Sequence, residues 1–272
     1  MLEQLKNPDV QTRVKSGLPL AAGVALLLGY APVSWIAIIV TATAVLGAWE
    51  FGEMFAKSPG QLPQWMLPGT ALLTGIGALA AGPAGMTALL VLCVIAWLIH
   101  ELIYLPKVAQ MELYALGNGL FGMLWVVWGI HHFILVRMLP EGVALLFFLL
   151  LVISFSDIAA YFGGKRLGKT PLAPAISPKK TWEGSTCGVI AAALVGMIHA
   201  GLFLSLTWIQ ALLLAVAVAV VGQVGDLVES KVKRLCNVKD SGFILPGHGG
   251  ILDRVDGHLL AAPLFYYLML LT

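Results

Sequence analysis

Residues 142–163 read GVALLFFLLLVISFSDIAAYFG and residues 164–185 continue GKRLGKTPLAPAISPKKTWEGS. The first stretch carries a single charge, Asp157, over a length that a helix needs to cross the ~30 Å hydrocarbon core of a bilayer. The second holds five Lys and Arg residues in an equal length. Apolar chain long enough to span, followed by a polar loop, is the pattern that decides the fold, and it recurs on both sides. Comparable spans are expected at Gly17–Ala31, Val33–Phe51, Gln64–Ala81, Ala84–Leu105, Leu113–Val136, Thr186–Leu206, Trp208–Leu227 and Ile251–Leu271. With Gly142–Gly163 they make about nine, the first of them short enough to be an interfacial piece. The expectation is an all-α polytopic membrane protein.

Composition agrees. Apolar residues are 59% of the 272, and charged residues 11%, against roughly 45–50% and about 25% in ordinary globular chains. Thirty charged side chains cannot cover a soluble surface of this size, and the apolar content excludes disorder. Cys93, Cys187 and Cys236 have neither metal-ligand spacing nor an even number, and read as reduced packing residues.

The net charge of +2 matters less than where the charges lie. Asp157–Glu183 holds seven and Asp226–Asp256 holds ten, so 17 of 30 sit in under a quarter of the chain. Basic residues fall in 1–16, at Lys57 and Lys107, and through 163–185 and 228–254, while the alternate turns carry almost none. By the positive-inside rule the N-terminus and both charged loops face the cytoplasm. The chain is therefore expected to divide into N-terminal spans over 1–141 and a C-terminal region over 142–272 that carries the charged cytoplasmic loops 163–185 and 228–256.

The first loop contains a misleading match. Gly163, Gly168, Lys169 and Thr170 satisfy G-x-x-x-x-G-K-[ST], the phosphate-binding P-loop pattern. A P-loop follows a strand and opens a helix; here a membrane span precedes it, and Pro171 and Pro174 block a continuous helix. What remains is glycine-rich backbone with five cations, Lys165, Arg166, Lys169, Lys179 and Lys180, suited to a polyanion or to anionic lipid head groups. Asp157, near the end of a span, is a functional candidate because an unpaired carboxylate is expensive to bury there.

The second loop, GDLVESKVKRLCNVKDSGFILPGHGGILDRVDGH over 225–258, brings carboxylates, cations and glycines together. Asp226 and Glu229 share a helix face, and Asp253 and Asp256 have the same spacing. Carboxylate oxygens beside Lys and Arg suit Mg²⁺ bridging substrate phosphates. Glu50, Glu53 and Glu101, at span ends, either snorkel or line the site. His131 and His132 fit packing roles.

This second loop resembles the signature of phosphatidate cytidylyltransferases (CDP-diacylglycerol synthases). The resemblance runs from Ser230 through Lys233-Arg234, Lys239-Asp240, Gly242, Leu245-Pro246 and His248-Gly249-Gly250 to Asp253-Arg254 and Asp256. The first loop is similar in Ser156-Asp157, Ala160-Tyr161, Gly164-Lys165, Gly168-Lys169, Ser177 to Thr181, and Glu183-Gly184. The resemblance implies transfer of the cytidylyl group of CTP to phosphatidate, with release of pyrophosphate. It implies Mg²⁺ on Asp226, Asp253 and Asp256, room for a second, monovalent cation such as K⁺, a homodimer, and residence in a bacterial cytoplasmic membrane with no nucleic-acid partner.

Lys233 and Arg234 then join the catalytic set. Asp157, Lys165, Ser177, Lys179, Lys180, Thr181, Glu183, Lys239, Asp240, His248, Gly249, Gly250 and Arg254 become substrate-binding candidates. A phosphomonoester is largely ionised near neutral pH, its second pKa being about 6, so the reaction needs no strong base. The alternatives are a CTP-dependent enzyme for an isoprenoid or ether lipid phosphate, and a transporter of a phosphorylated anion.

Overall fold

The computed structural model describes residues 23, 26–56, 61–103, 109–244 and 249–272, without the side chains of 109–112. Helix α1 is Val33–Met54, entered through Pro32. Helix α2 is Met66–Ile103, interrupted where Ala81 (φ −143°) and Gly82 (φ +58°) leave helical geometry. Gly82 supplies a positive φ that side chains resist, and Pro83 suits the first position of the second arm. A Cβ on Gly77 or Gly85 would strike the backbone of the other, so the two arms of α2 fold back against one another. The two expected spans on either side of Gly82–Pro83 are these arms.

Helix α3, Ala109–Gly122, continues through a π-helical turn, Met123–Trp128, into α4, Gly129–Met138. Helix α5 is Gly142–Leu167. Strands β1 (Pro171–Ala173) and β2 (Ser177–Thr181) pair antiparallel. Helices α6 (Trp182–Phe203), α7 (Trp208–Leu235) and α8 (Leu252–Met269) complete the chain. Thr207 caps α7 in a capping box with Gln210.

The all-α polytopic membrane architecture stands, and the count of nine spans is not confirmed. Among the described residues there are eight α-helices, and six helices are long and apolar enough to cross a membrane. Helix α2 counts once although it bends back. Helix α8 falls outside the six, with Asp253, Arg254 and Asp256 in its first two turns. The candidate span Gly17–Ala31 lies largely outside the described residues. The β1–β2 ribbon was not expected from the sequence.

The packing is that of a lipid-facing bundle. Phe148 of α5 and Phe265 of α8 stack at 5.4 Å and are fully buried. Outward residues such as Leu202, Leu213 and Trp208 are 69, 63 and 69% exposed, which only a lipid surround tolerates in such numbers. Small residues set the closest approaches, as is usual between membrane helices. A Cβ on Gly225 of α7 would lie 2.7 Å from the Asp256 carbonyl oxygen and 3.2 Å from Gly257 Cα of α8. That backbone contact fixes where the charged ends of α7 and α8 meet.

Candidate active site

The charged ends of α5, α7 and α8 and strand β2 surround a cavity of about 650 Å³. Asp157, Asp226, Asp253 and Asp256 line it from the helices, and Lys165, Lys179 and Lys180 contribute the opposing charge. Tyr161 and Leu172 add apolar wall, while Ser185 and Gln223 form a polar corner. Glycines permit this convergence. A Cβ on Gly184 of α6 would lie 3.0 Å from the backbone of Gly164 in α5, so β2 and its lysines sit directly over the end of α5.

Three carboxylates meet at one point. Ligand oxygens of Asp226, Glu229 and Asp256 lie within 4.8 Å of one another. Asp226 and Glu229 share a face of α7, one turn apart, and the Gly225 contact brings Asp256 beside them. Glu229 is 1% exposed, and its Oε1 has no hydrogen-bond partner. Three converging carboxylates with an unpartnered buried oxygen fit a hard divalent cation.

Asp253, expected from the sequence among the ligands, lines the same cavity but stands outside this trio. Its Oδ1 accepts from Lys233 Nζ at 2.6 Å, and its Oδ2 accepts from the backbone N–H groups of Gly250 (2.8 Å) and Ser241 (3.0 Å). Lys233 in turn pairs with Glu229 at 2.5 Å. Both Asp253 oxygens are thus engaged, and Glu229 takes the third corner. The spacing of Glu229 from Asp226 was visible in the sequence; which of the acidic residues converge depends on how α7 meets α8.

The P-loop-like stretch holds no phosphate cradle. The N–H groups of Lys169 and Thr170 donate to the Glu183 carboxylate at 3.1 and 3.2 Å, and the chain continues into β1. Glu183 therefore ties the loop together in the first turn of α6 and is not a lining residue of the cavity. Thr181 lines the cavity and caps α6, its hydroxyl accepting from Gly184 N at 3.2 Å. Lys180 is ion-paired with Asp226.

Residues 11–272 match the family described as the cytidylyltransferase family. The chain belongs to that family. A phosphatidate cytidylyltransferase of Bacillus subtilis (strain 168) is 47% identical over 143 residues, covering 52% of this chain and 53% of that protein. One from Brucella suis biovar 1 is 48% identical over 127 residues, 47% of each chain. One from Helicobacter pylori (strain ATCC 700392 / 26695) is 47% identical over 121 residues, 44% of this chain and 45% of that protein. The matches thus cover about half the length of these relatives.

Within this cytidylyltransferase-family chain, the remaining candidates from the sequence divide. Gly249 (φ +81°) and Gly250 lie against Asp253, where a Cβ on Gly249 would meet Oδ2 at 2.8 Å. Arg234 donates to the Val238 carbonyl at 3.1 Å, holding the turn after α7. Ser177, Lys239, Asp240 and Arg254 are not among the lining residues of the cavity, and His248 lies outside the described residues.

One polar group escaped the sequence reading. Gln223 Nε2 donates to Ser156 Oγ (3.1 Å) and the Ser185 carbonyl (3.2 Å), while Ser185 Oγ donates to Gln223 Oε1. It joins α5, α6 and α7 beneath the carboxylates. Its signal was a lone amide three residues before Asp226, on the same helix face.

Proposed function

We propose that this chain transfers the cytidylyl group of CTP to phosphatidate, giving CDP-diacylglycerol and pyrophosphate at the cytoplasmic face of a bacterial inner membrane. The observation that carries the reading is one cavity in which Asp157, Asp226, Asp253 and Asp256 face Lys165, Lys179 and Lys180, with the buried Glu229 completing a carboxylate trio beside Asp226 and Asp256. Family membership and the names of the relatives favour this reaction over transport or a different lipid phosphate. The C-terminal region 142–272 would carry the chemistry, with 1–141 as its membrane support, and the protein would act as a homodimer.

Asp226, Glu229 and Asp256 would hold Mg²⁺, which when bound neutralises triphosphate charge and stabilises the leaving pyrophosphate. A monovalent cation such as K⁺ would accompany it. Lys165, Lys179 and Lys180 oppose the electrostatic repulsion between CTP and the lipid phosphate. Asp253 holds Lys233 against Glu229 and so keeps the trio in place. The attacking oxygen belongs to a phosphomonoester already largely ionised at neutral pH; accordingly, no residue is assigned as general base. Tyr161 and Leu172 give the cavity an apolar flank on the lipid side, where the acyl chains remain in the bilayer.

The test uses radiolabelled CTP and the purified protein in detergent, with phosphatidate, an isoprenoid phosphate or no lipid, and with Mg²⁺ or a chelator. Label in CDP-diacylglycerol and pyrophosphate release, both dependent on phosphatidate and Mg²⁺, are expected. Pyrophosphate release that ignores the lipid, or transfer confined to the isoprenoid phosphate, would overturn the proposal.

A further inference from the structure

Glu50 sits in the last turns of α1, about 200 residues from α8 in sequence, and is 2% exposed. Its carboxylate accepts three hydrogen bonds from the second charged loop. Ile251 N donates to Oε1 at 2.9 Å, Leu252 N to Oε2 at 2.9 Å, and Ser241 Oγ to Oε2 at 3.1 Å. The first two are amides at the start of α8, which no carbonyl of that helix can accept and where negative charge is favoured. Gly242 and Gly250 are shaped to the same group: a Cβ on either would come within 2.5 and 2.6 Å of Glu50 oxygens.

The backbone held in this way is the backbone that holds Asp253. Gly250 N and Ser241 N, next to the Glu50 contacts, donate to Asp253 Oδ2, whose other oxygen fixes Lys233 against Glu229. We infer that Glu50 is a positioning residue for the metal centre, a carboxylate of the N-terminal helices that locks the second loop and, through Asp253 and Lys233, sets Glu229. The inference rests on the reading of Asp226, Glu229 and Asp256 as a metal site. Glu50 is neither a lining residue of the cavity nor a member of the trio, and it acts only through this chain of contacts.

Both Glu50 oxygens accept, so Glu50→Gln turns an amide N–H toward a backbone N–H in either orientation. The experiment measures Mn²⁺ binding by electron paramagnetic resonance, with kcat and KM for CTP, on full-length protein in detergent. The variants are Glu50→Gln and the milder Ser241→Ala, each with a thermal unfolding curve. Glu50→Gln is expected to weaken Mn²⁺ binding and lower kcat by about 10–100-fold, the usual effect of losing a group that orients metal ligands. Ser241→Ala should move both in the same direction by a smaller factor.

Folded Glu50→Gln protein with wild-type Mn²⁺ affinity and kcat would overturn the inference. So would rate losses that match the unfolded fraction while the folded fraction binds Mn²⁺ normally. If Glu50→Gln does not fold, the Mn²⁺ affinity of Ser241→Ala decides on the same criteria. Wild-type protein that binds no Mn²⁺ would instead remove the metal site itself.

Discussion

Lys180 of β2 is ion-paired with Asp226 of α7, joining the two charged loops across the cavity. The ammonium thus occupies a carboxylate that also belongs to the trio with Glu229 and Asp256. A cation held by the trio would compete with Lys180, and under the proposed reaction a displaced Lys180 would be free to meet the phosphates of CTP. Lys180→Met is therefore expected to tighten Mn²⁺ binding without nucleotide by about two- to fivefold, the scale of a partly exposed ion pair. The same variant should lower turnover with CTP by about a hundredfold, as expected for losing a preorganised phosphate contact. Paired Mn²⁺ titrations and initial rates check it, and weaker binding without nucleotide would show that Lys180 supports the trio instead.

Glu229 and Asp253 make different predictions although both contact Lys233. Glu229 brings an unpartnered buried oxygen to the trio, whereas both oxygens of Asp253 are engaged by Lys233 and two amides. Glu229→Gln should weaken Mn²⁺ binding more than Asp253→Asn does. Turnover should fall in both, by at least about a hundredfold for Asp253→Asn, at the upper end of the range for residues that orient ligands. Mn²⁺ titration of the two folded variants separates the roles, and the opposite ranking would return Asp253 to the ligand set.

The Gly168-Lys169-Thr170 stretch yields a prediction of near-silence. Its amides are bonded to Glu183, and Lys169 is not a lining residue of the cavity. Lys169→Ala should leave KM for CTP and kcat within about twofold, the range of substitutions away from buried or bonded features. Loss of nucleotide binding in this variant would restore a phosphate-binding role to the stretch.

The membrane architecture was legible because apolar length is a local property: α1, α5 and α6 begin and end near the expected boundaries, and Gly82–Pro83 marked the turn inside α2, whereas α7 runs on to Leu235, about two turns past the expected end at Leu227. The polar ends were legible as places where charge must have a use. Which charges meet was not. Asp226 and Glu229 in the C-terminal third of α7, and Asp253 and Asp256 in the first turns of α8, have the same three-residue spacing, and choosing among them requires the Gly225–Gly257 contact between α7 and α8. The β ribbon escaped because three- and five-residue strands containing Pro171 and Pro178 carry too little alternation to read. Glu50 was visible only as a carboxylate near a span end, since its partners follow some 200 residues later.

That glycine contact is the basis of the last prediction. At Gly225 an added methyl meets backbone, the Asp256 carbonyl at 2.7 Å and Gly257 Cα at 3.2 Å, and backbone cannot rotate away as a side chain does. Gly225→Ala must therefore push α8 off α7, at a cost of about 1–3 kcal/mol by analogy with overpacked cores. The displacement falls between Asp226 and Asp256, so Mn²⁺ affinity should drop with stability. Gly201→Ala is the control: it lies in α6 with nothing within 4 Å of the new methyl, and alanine is the better helix former. It should keep wild-type Mn²⁺ binding and unfold at the same or a higher temperature. Thermal unfolding and Mn²⁺ titration on the two variants test the point together. A Gly225→Ala protein with undiminished Mn²⁺ affinity would mean that the trio does not depend on the close approach of α7 and α8.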